Sequence, residues 1–77
     1  MQNKNQNIDR VMDSFFVATN LDGDMWMAYK VQRADGWVGW TSGMDCYGPS
    51  PNGPWFDRFN DAQDDAWDSA QPGWNRD

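Results

Sequence analysis

Asp57, Asp61, Asp64, Asp65 and Asp68 form the densest set of chemically capable side chains in this sequence. Grouped carboxylates can move protons, hold a hard cation, or show negative charge to a basic partner. Proton transfer in catalysis needs partners of differing acidity, and the chain has no histidine and no glutamate. Its one cysteine, Cys46, has no histidine to activate it and reads as a small apolar residue beside Tyr47. No glycine loop of the phosphate-cradling kind is present. Catalytic and cofactor-binding residues are therefore expected to be none. The same residue counts exclude a zinc site of the usual Cys/His kind and an internal disulfide. Asn20-Leu-Asp22-Gly-Asp24 alternates oxygen ligands as a calcium loop does. The sixth and twelfth positions of such a loop are Met25 and Val31, where glycine and glutamate are needed, so no metal site is expected.

Charge display remains. If residues 56–70 form a helix, the five aspartates fall within an arc of about 100° and span about 16 Å of its length. Asp57/Asp61, Asp61/Asp65 and Asp64/Asp68 are like charges at i, i+4, each costing a few tenths of a kcal/mol, and only Arg58 lies in the same segment. Aspartate is also a mediocre helix former, so local stability gains little beyond an acid-friendly first turn. The stripe is either a solvated face that aids solubility or a surface for a basic partner. The whole chain has 12 acidic and 6 basic side chains, a formal net charge of -6.

Aromatic side chains are the second resource: six tryptophans, four phenylalanines and two tyrosines in 77 residues. Trp26 and Trp37 are expected on an outer sheet face near Phe15, with Lys30, Gln32 and Arg33 close by. Such a platform suits stacked bases, a protein partner, or packing against an amino-terminal helix. The net charge opposes phosphate, so direct nucleic-acid binding is not expected, and a partner-binding patch and plain packing both stay open for Trp26 and Trp37.

The elements that must position these groups follow from turn and periodicity signals. Asp22-Gly23 and Asp35-Gly36, each flanked by β-branched and aromatic residues, predict hairpin turns and hence an antiparallel meander over 14–20, 24–33 and 37–42. With two-residue turns, Asn20 faces Met25, Phe16 faces Tyr29, Val31 faces Trp40 and Arg33 faces Val38. That register places Phe16, Ala18, Met25, Met27, Tyr29, Val31, Val38 and Trp40 on one face, the expected core, and Phe15, Val17, Trp26, Ala28, Lys30 and Trp37 on the other. Ile8, Val11 and Met12 at i, i+3, i+4 predict a short helix before the sheet. Residues 43–55 are rich in proline and glycine and predict a loop, with a short edge strand at 44–47 as a fourth strand. Phe56, Phe59, Ala66, Trp67 and Ala70 predict an amphipathic helix over 56–70 that closes over the core face, stopped by Pro72-Gly73.

The expected fold is thus α+β: a three- or four-stranded antiparallel meander, a carboxy-terminal helix packed on one face and a short amino-terminal helix. Residues 1–7 are expected to be a mobile arm, 8–71 one domain and 72–77 a tail. No apolar run reaches the roughly 18 residues of a membrane span, and the polar start lacks a signal peptide's apolar region, so a cytoplasmic protein is expected.

Over residues 8–71 this layout resembles the double-stranded-RNA-binding fold and its relatives among HicB-type antitoxin domains. Acids stand where those RNA-binding relatives carry the basic loop and helix start that grip phosphates. Small size, acidity, abundant aromatics and the aspartate stripe resemble the anti-defence proteins of bacteriophages, including anti-CRISPR proteins and nucleic-acid mimics. The resemblance implies a non-enzymatic inhibitor whose acidic helix occupies a basic nucleic-acid-binding surface of a host protein or nucleoprotein complex in the host cytoplasm, while Trp26, Trp37 or Trp55 anchors an adjacent pocket. The alternative is a homodimeric antitoxin-like or structural phage protein that pairs through the outer sheet face, its acids serving only solubility.

Overall fold

The computed structural model describes residues 7–71. The expected tail, the proline-glycine helix stop and, apart from Asn7, the expected arm lie outside the described residues. Within them run β1 (Ile8–Thr19), β2 (Met25–Arg33), β3 (Val38–Met44) and α1 (Phe59–Ala70). The three strands form one antiparallel sheet in the order β1-β2-β3, the α+β meander with a carboxy-terminal helix.

Both Asp-Gly turns form, each one residue longer than expected. Asn20 N–H donates to Asp24 C=O at 2.9 Å and Gly23 N–H to Asn20 C=O at 3.1 Å, and Arg33, Gly36 and Trp37 repeat the pattern at 2.8 and 2.9 Å. The loops are Leu21-Asp22-Gly23 and Ala34-Asp35-Gly36, with φ of +90° and +96° at the two glycines. A three-residue loop ending in a left-handed glycine is the next hairpin solution after the two-residue turn. Side chains select it here. Asn20 Oδ1 accepts the N–H groups of Asp22 and Asp24 at 3.0 and 2.9 Å, and Asp35 Oδ1 accepts that of Trp37 at 3.2 Å.

One residue more in the loop exchanges the faces of the sheet. Val31 lies opposite Gly39, Lys30 opposite Trp40 and Phe16 opposite Met27, so the expected Val31/Trp40 pairing is overturned. α1 covers the face bearing Phe15, Ala28, Trp40 and Ser42. Phe59 meets Phe15 and Trp40 edge-on with centroids 5.5 and 5.1 Å away, and Ser42 Oγ donates to Asp65 Oδ2. Ala62, Ala66 and Ala70 are fully buried in α1, as is Ala28 in β2, so this layer is sealed by small side chains and aromatic edges. The helix starts at Phe59 because Phe56 pairs with Trp40, both backbone bonds being 2.8 Å. Trp67, expected in the core, is 49% exposed.

The opposite face, bearing Tyr29, Val31, Gly39, Thr41 and Gly43, is covered by the proline-glycine loop. Thr41 Oγ1 donates to Pro54 C=O at 2.8 Å, Ser50 N–H to Ser42 C=O at 3.0 Å and Gly48 N–H to Met44 C=O at 2.7 Å. The fourth strand expected at 44–47 is instead the end of β3 followed by a turn. Trp37 and Trp55 meet at 66° with centroids 5.8 Å apart, and the Arg33 guanidinium lies 4.7 and 5.2 Å from the two rings while pairing with Asp35 at 2.7 Å. Together they clamp the loop to the sheet.

Ile8, Val11 and Met12 do not form a helix; they belong to β1. The register of β1 against β2 shifts between Ile8 and Arg10, between Val11 and Asp13, and between Phe16 and Ala18. Each extra residue restores the following side chain to an earlier face. Ile8 opposite Arg33 and Val11 opposite Val31 thus share a face, which is the i, i+3 spacing that resembles a helical turn.

Tyr29 is buried under the loop, and burial, followed by the charges of Asp45 and Cys46, raises its phenol above the ordinary value of 10.0. The folded state then holds the phenolic proton more tightly than the unfolded chain does. The resulting stability is complete below pH 10 and is lost as the pH climbs beyond it. Thermal melts from pH 8 to 11.5 should therefore fall more steeply for the wild type than for Tyr29→Phe above pH 10. Parallel curves for the two proteins would contradict the coupling.

Candidate protein-binding surface

The carboxylates of α1 divide by role. Asp57 lies just before the helix; Asp61, Asp64 and Asp68 lie along it, and all four are exposed. Asp65, the fifth residue of the expected stripe, is half-buried and accepts the Ser42 hydroxyl, so it secures the helix to β3. Among the described residues, the ion pair found is Arg33 with Asp35, and none of Asp57, Asp61, Asp64 and Asp68 has a cationic partner. Only Asp61 lies in the first turn, where the helix dipole favours an acid, and the last turn has no basic residue to offset Asp68. Asp68 thus stands where the helix dipole opposes it, and Asp57 and Asp61 where it favours them.

The expected tryptophan pair does not exist as one surface. Trp26 lies two residues from Ala28 on the helix side of β2, half-buried, with its Nε1 buried and unpartnered among the described residues. Trp37 is on the opposite face, where its ring lies over Gly39 and against Trp55. The one-residue change in loop length separates them. Trp37 and Trp55 are both half-buried and act chiefly as the loop clamp.

A different apolar surface takes their place. Phe16, Val11 and Met25 are exposed on the loop side of the sheet, whereas Tyr29 and Val31 of β2 on the same side are buried. Sequence reasoning missed this patch because it assigned Phe16 and Met25 to the covered face and Val11 to a short helix before the sheet. The residue-count signal for a loop covering one face was present in the thirteen-residue stretch 43–55, but polar, proline-rich loops are ordinarily placed at the rim.

Among the described residues, no cluster of three or more metal-ligating side chains occurs and no helix is long and apolar enough to cross a membrane. In comparisons with protein families, curated proteins and solved structures, the chain matches none.

Proposed function

We propose that the protein acts by binding, and that α1 presents its carboxylate ridge to a basic nucleic-acid-binding surface of a partner protein or nucleoprotein complex. The observation that carries this reading is the set Asp57, Asp61, Asp64 and Asp68, exposed and without cationic partners among the described residues. A row of carboxylates on a rigid helix offers a Lys/Arg-lined channel the charge that a phosphate backbone would offer, and steers the encounter from a distance. Occupation of the channel excludes nucleic acid, as in the bacteriophage inhibitors that the composition resembles. The site in the partner would be one that normally holds DNA or RNA.

The test is capture of partners from bacterial lysate on the immobilised protein, followed by titration of the captured component. Asp57→Asn/Asp61→Asn/Asp68→Asn should bind about tenfold more weakly at low salt, chiefly through the association rate, with the difference shrinking as salt rises. A duplex or single-stranded oligonucleotide should compete with the wild type for the same component. Equal affinities of wild type and triple variant at both salt concentrations would sink the ridge reading.

The second reading, self-association through the sheet, is supported by the exposed patch of Phe16, Val11 and Met25. It requires a dimer in light scattering at micromolar concentration, and Phe16→Ser should return that dimer to monomer.

A further inference from the structure

α1 is seated over β2 and β3, and between it and β1 the surface opens into a groove of about 350 Å³ lined by Val17, Gln63, Asp64 and Trp67. We propose that this groove is a docking site for an extended segment of a partner protein, carrying an apolar side chain flanked by lysine or arginine and adding as a strand along β1. The inference rests on the reading that the partner is basic, and it adds the form in which the partner is recognised.

Four observations select this occupant. The far edge of the sheet is closed, since Ser50 and Phe56 satisfy backbone groups of β3, whereas β1 lies at the near edge and, among the described residues, has no strand beside it. β1 keeps its longest regular register from Asp13 to Phe16, between register shifts on either side, and there the Asp13 carboxylate accepts the Ser14 N–H at 2.9 Å, a bond that an added strand would displace. A bulge interrupts further pairing, so the usable edge fits a short segment and does not suit a second twelve-residue β1. The chemistry of the walls is mixed: Val17 and the half-exposed Trp67 ring supply apolar contact, and Asp64 supplies charge at the rim. A second copy of a chain of net charge -6 opposes that rim, while a lysine or arginine complements it. A strand added to β1 points alternate side chains to the helix side, where the groove lies, so main-chain bonds give affinity and the groove selects the side chain.

The experiment is selection from a display library of random ten-residue peptides on the full chain, followed by NMR titration of the isotope-labelled protein with the enriched peptide. Enriched sequences should place an aliphatic or aromatic residue next to Lys or Arg, and amide shifts should centre on Asp13–Phe16 and on the Gln63–Trp67 turn of α1. Trp67→Ala and Asp64→Lys, both at exposed positions, should each weaken the peptide about tenfold with little change in melting temperature, and Gln63→Lys provides a further exposed variant on the same wall. Absence of any enriched peptide, equal binding by these variants, or shifts confined to the Phe16 and Met25 face would overturn the proposal. The triple change at Asp57, Asp61 and Asp68 leaves the groove lining untouched. A ridge that fails its own titration while the groove still takes the peptide refutes the first reading alone, and the reverse result refutes the groove alone.

Discussion

Gly43→Val is expected to lower the melting temperature by about 10–20 °C, the largest loss from any single substitution on the loop side of the sheet. A β-carbon at this position would sit 2.2 Å from the carbonyl oxygen of Gly48 and 3.0 Å from Cα of Pro49, both backbone atoms that no rotamer change can move aside. The loop must lift from β3, and with it go the bonds from Gly48 N–H to Met44 C=O and from Thr41 Oγ1 to Pro54 C=O. Lifting also exposes Val31 and Thr41, the largest side chains that are fully buried. In a domain of this size a few kcal/mol is a large part of the total stability. Differential scanning fluorimetry, with tryptophan emission reporting the Trp37–Trp55 contact, is the measurement. A shift below about 3 °C would mean that the loop contributes little, and the face it covers would then need another account.

The same residues show why fold class was legible in the sequence and face assignment was not. Two Asp-Gly dipeptides between apolar runs specify two hairpins whatever the loop length, so strand number, order and sense follow. Face assignment depends on whether each loop holds two residues or three. That choice is made by Asn20 and Asp35, whose side-chain oxygens accept backbone N–H groups across the turn, and such short-range competition is weakly encoded. Because the side-chain period of a strand is two, an error of one residue exchanges every face at once. Trp26 and Trp37 were separated by this exchange, and Val31 and Trp40 with them. The helical spacing of Ile8, Val11 and Met12 had a different cause, bulges that give a strand the apparent period of a helix.

The acidic ridge was more legible because helix periodicity tolerates an error of several residues at the start. Moving the first helical residue from Phe56 to Phe59 leaves Asp61, Asp64 and Asp68 on the outer side of α1. Asp65 could not be separated from them by spacing alone. It sits at the margin of the arc, and its role depends on Ser42 arriving on the helix side of β3, a consequence of the same register that moved Trp40. Position within an arc is a property of the helix; burial is a property of what lies beneath it.

Ala66→Leu tests that seating and is expected to lower the melting temperature by about 5–15 °C. Ala62, Ala66 and Ala70 have no exposed surface, and Ala28 beneath the helix has none either, so nothing on this line leaves room for three further carbon atoms. The larger side chain must push α1 away from β2, straining the edge-on contacts of Phe59 with Phe15 and Trp40 and the bond from Ser42 Oγ to Asp65. The neighbouring substitution Trp67→Ala removes far more atoms from a half-exposed position and should cost under about 1 kcal/mol, so the order of the two effects opposes the order of the volume changes. Ala66→Ser, nearly the same size as alanine, separates overpacking from loss of helix propensity, which for leucine is negligible. Thermal melts of the three variants decide the matter. If Ala66→Leu melts within 2 °C of the wild type while Trp67→Ala falls by more, α1 rests on the sheet through Trp67, as its spacing first suggested, and both the carboxylate ridge and the groove beside β1 would turn to face other directions.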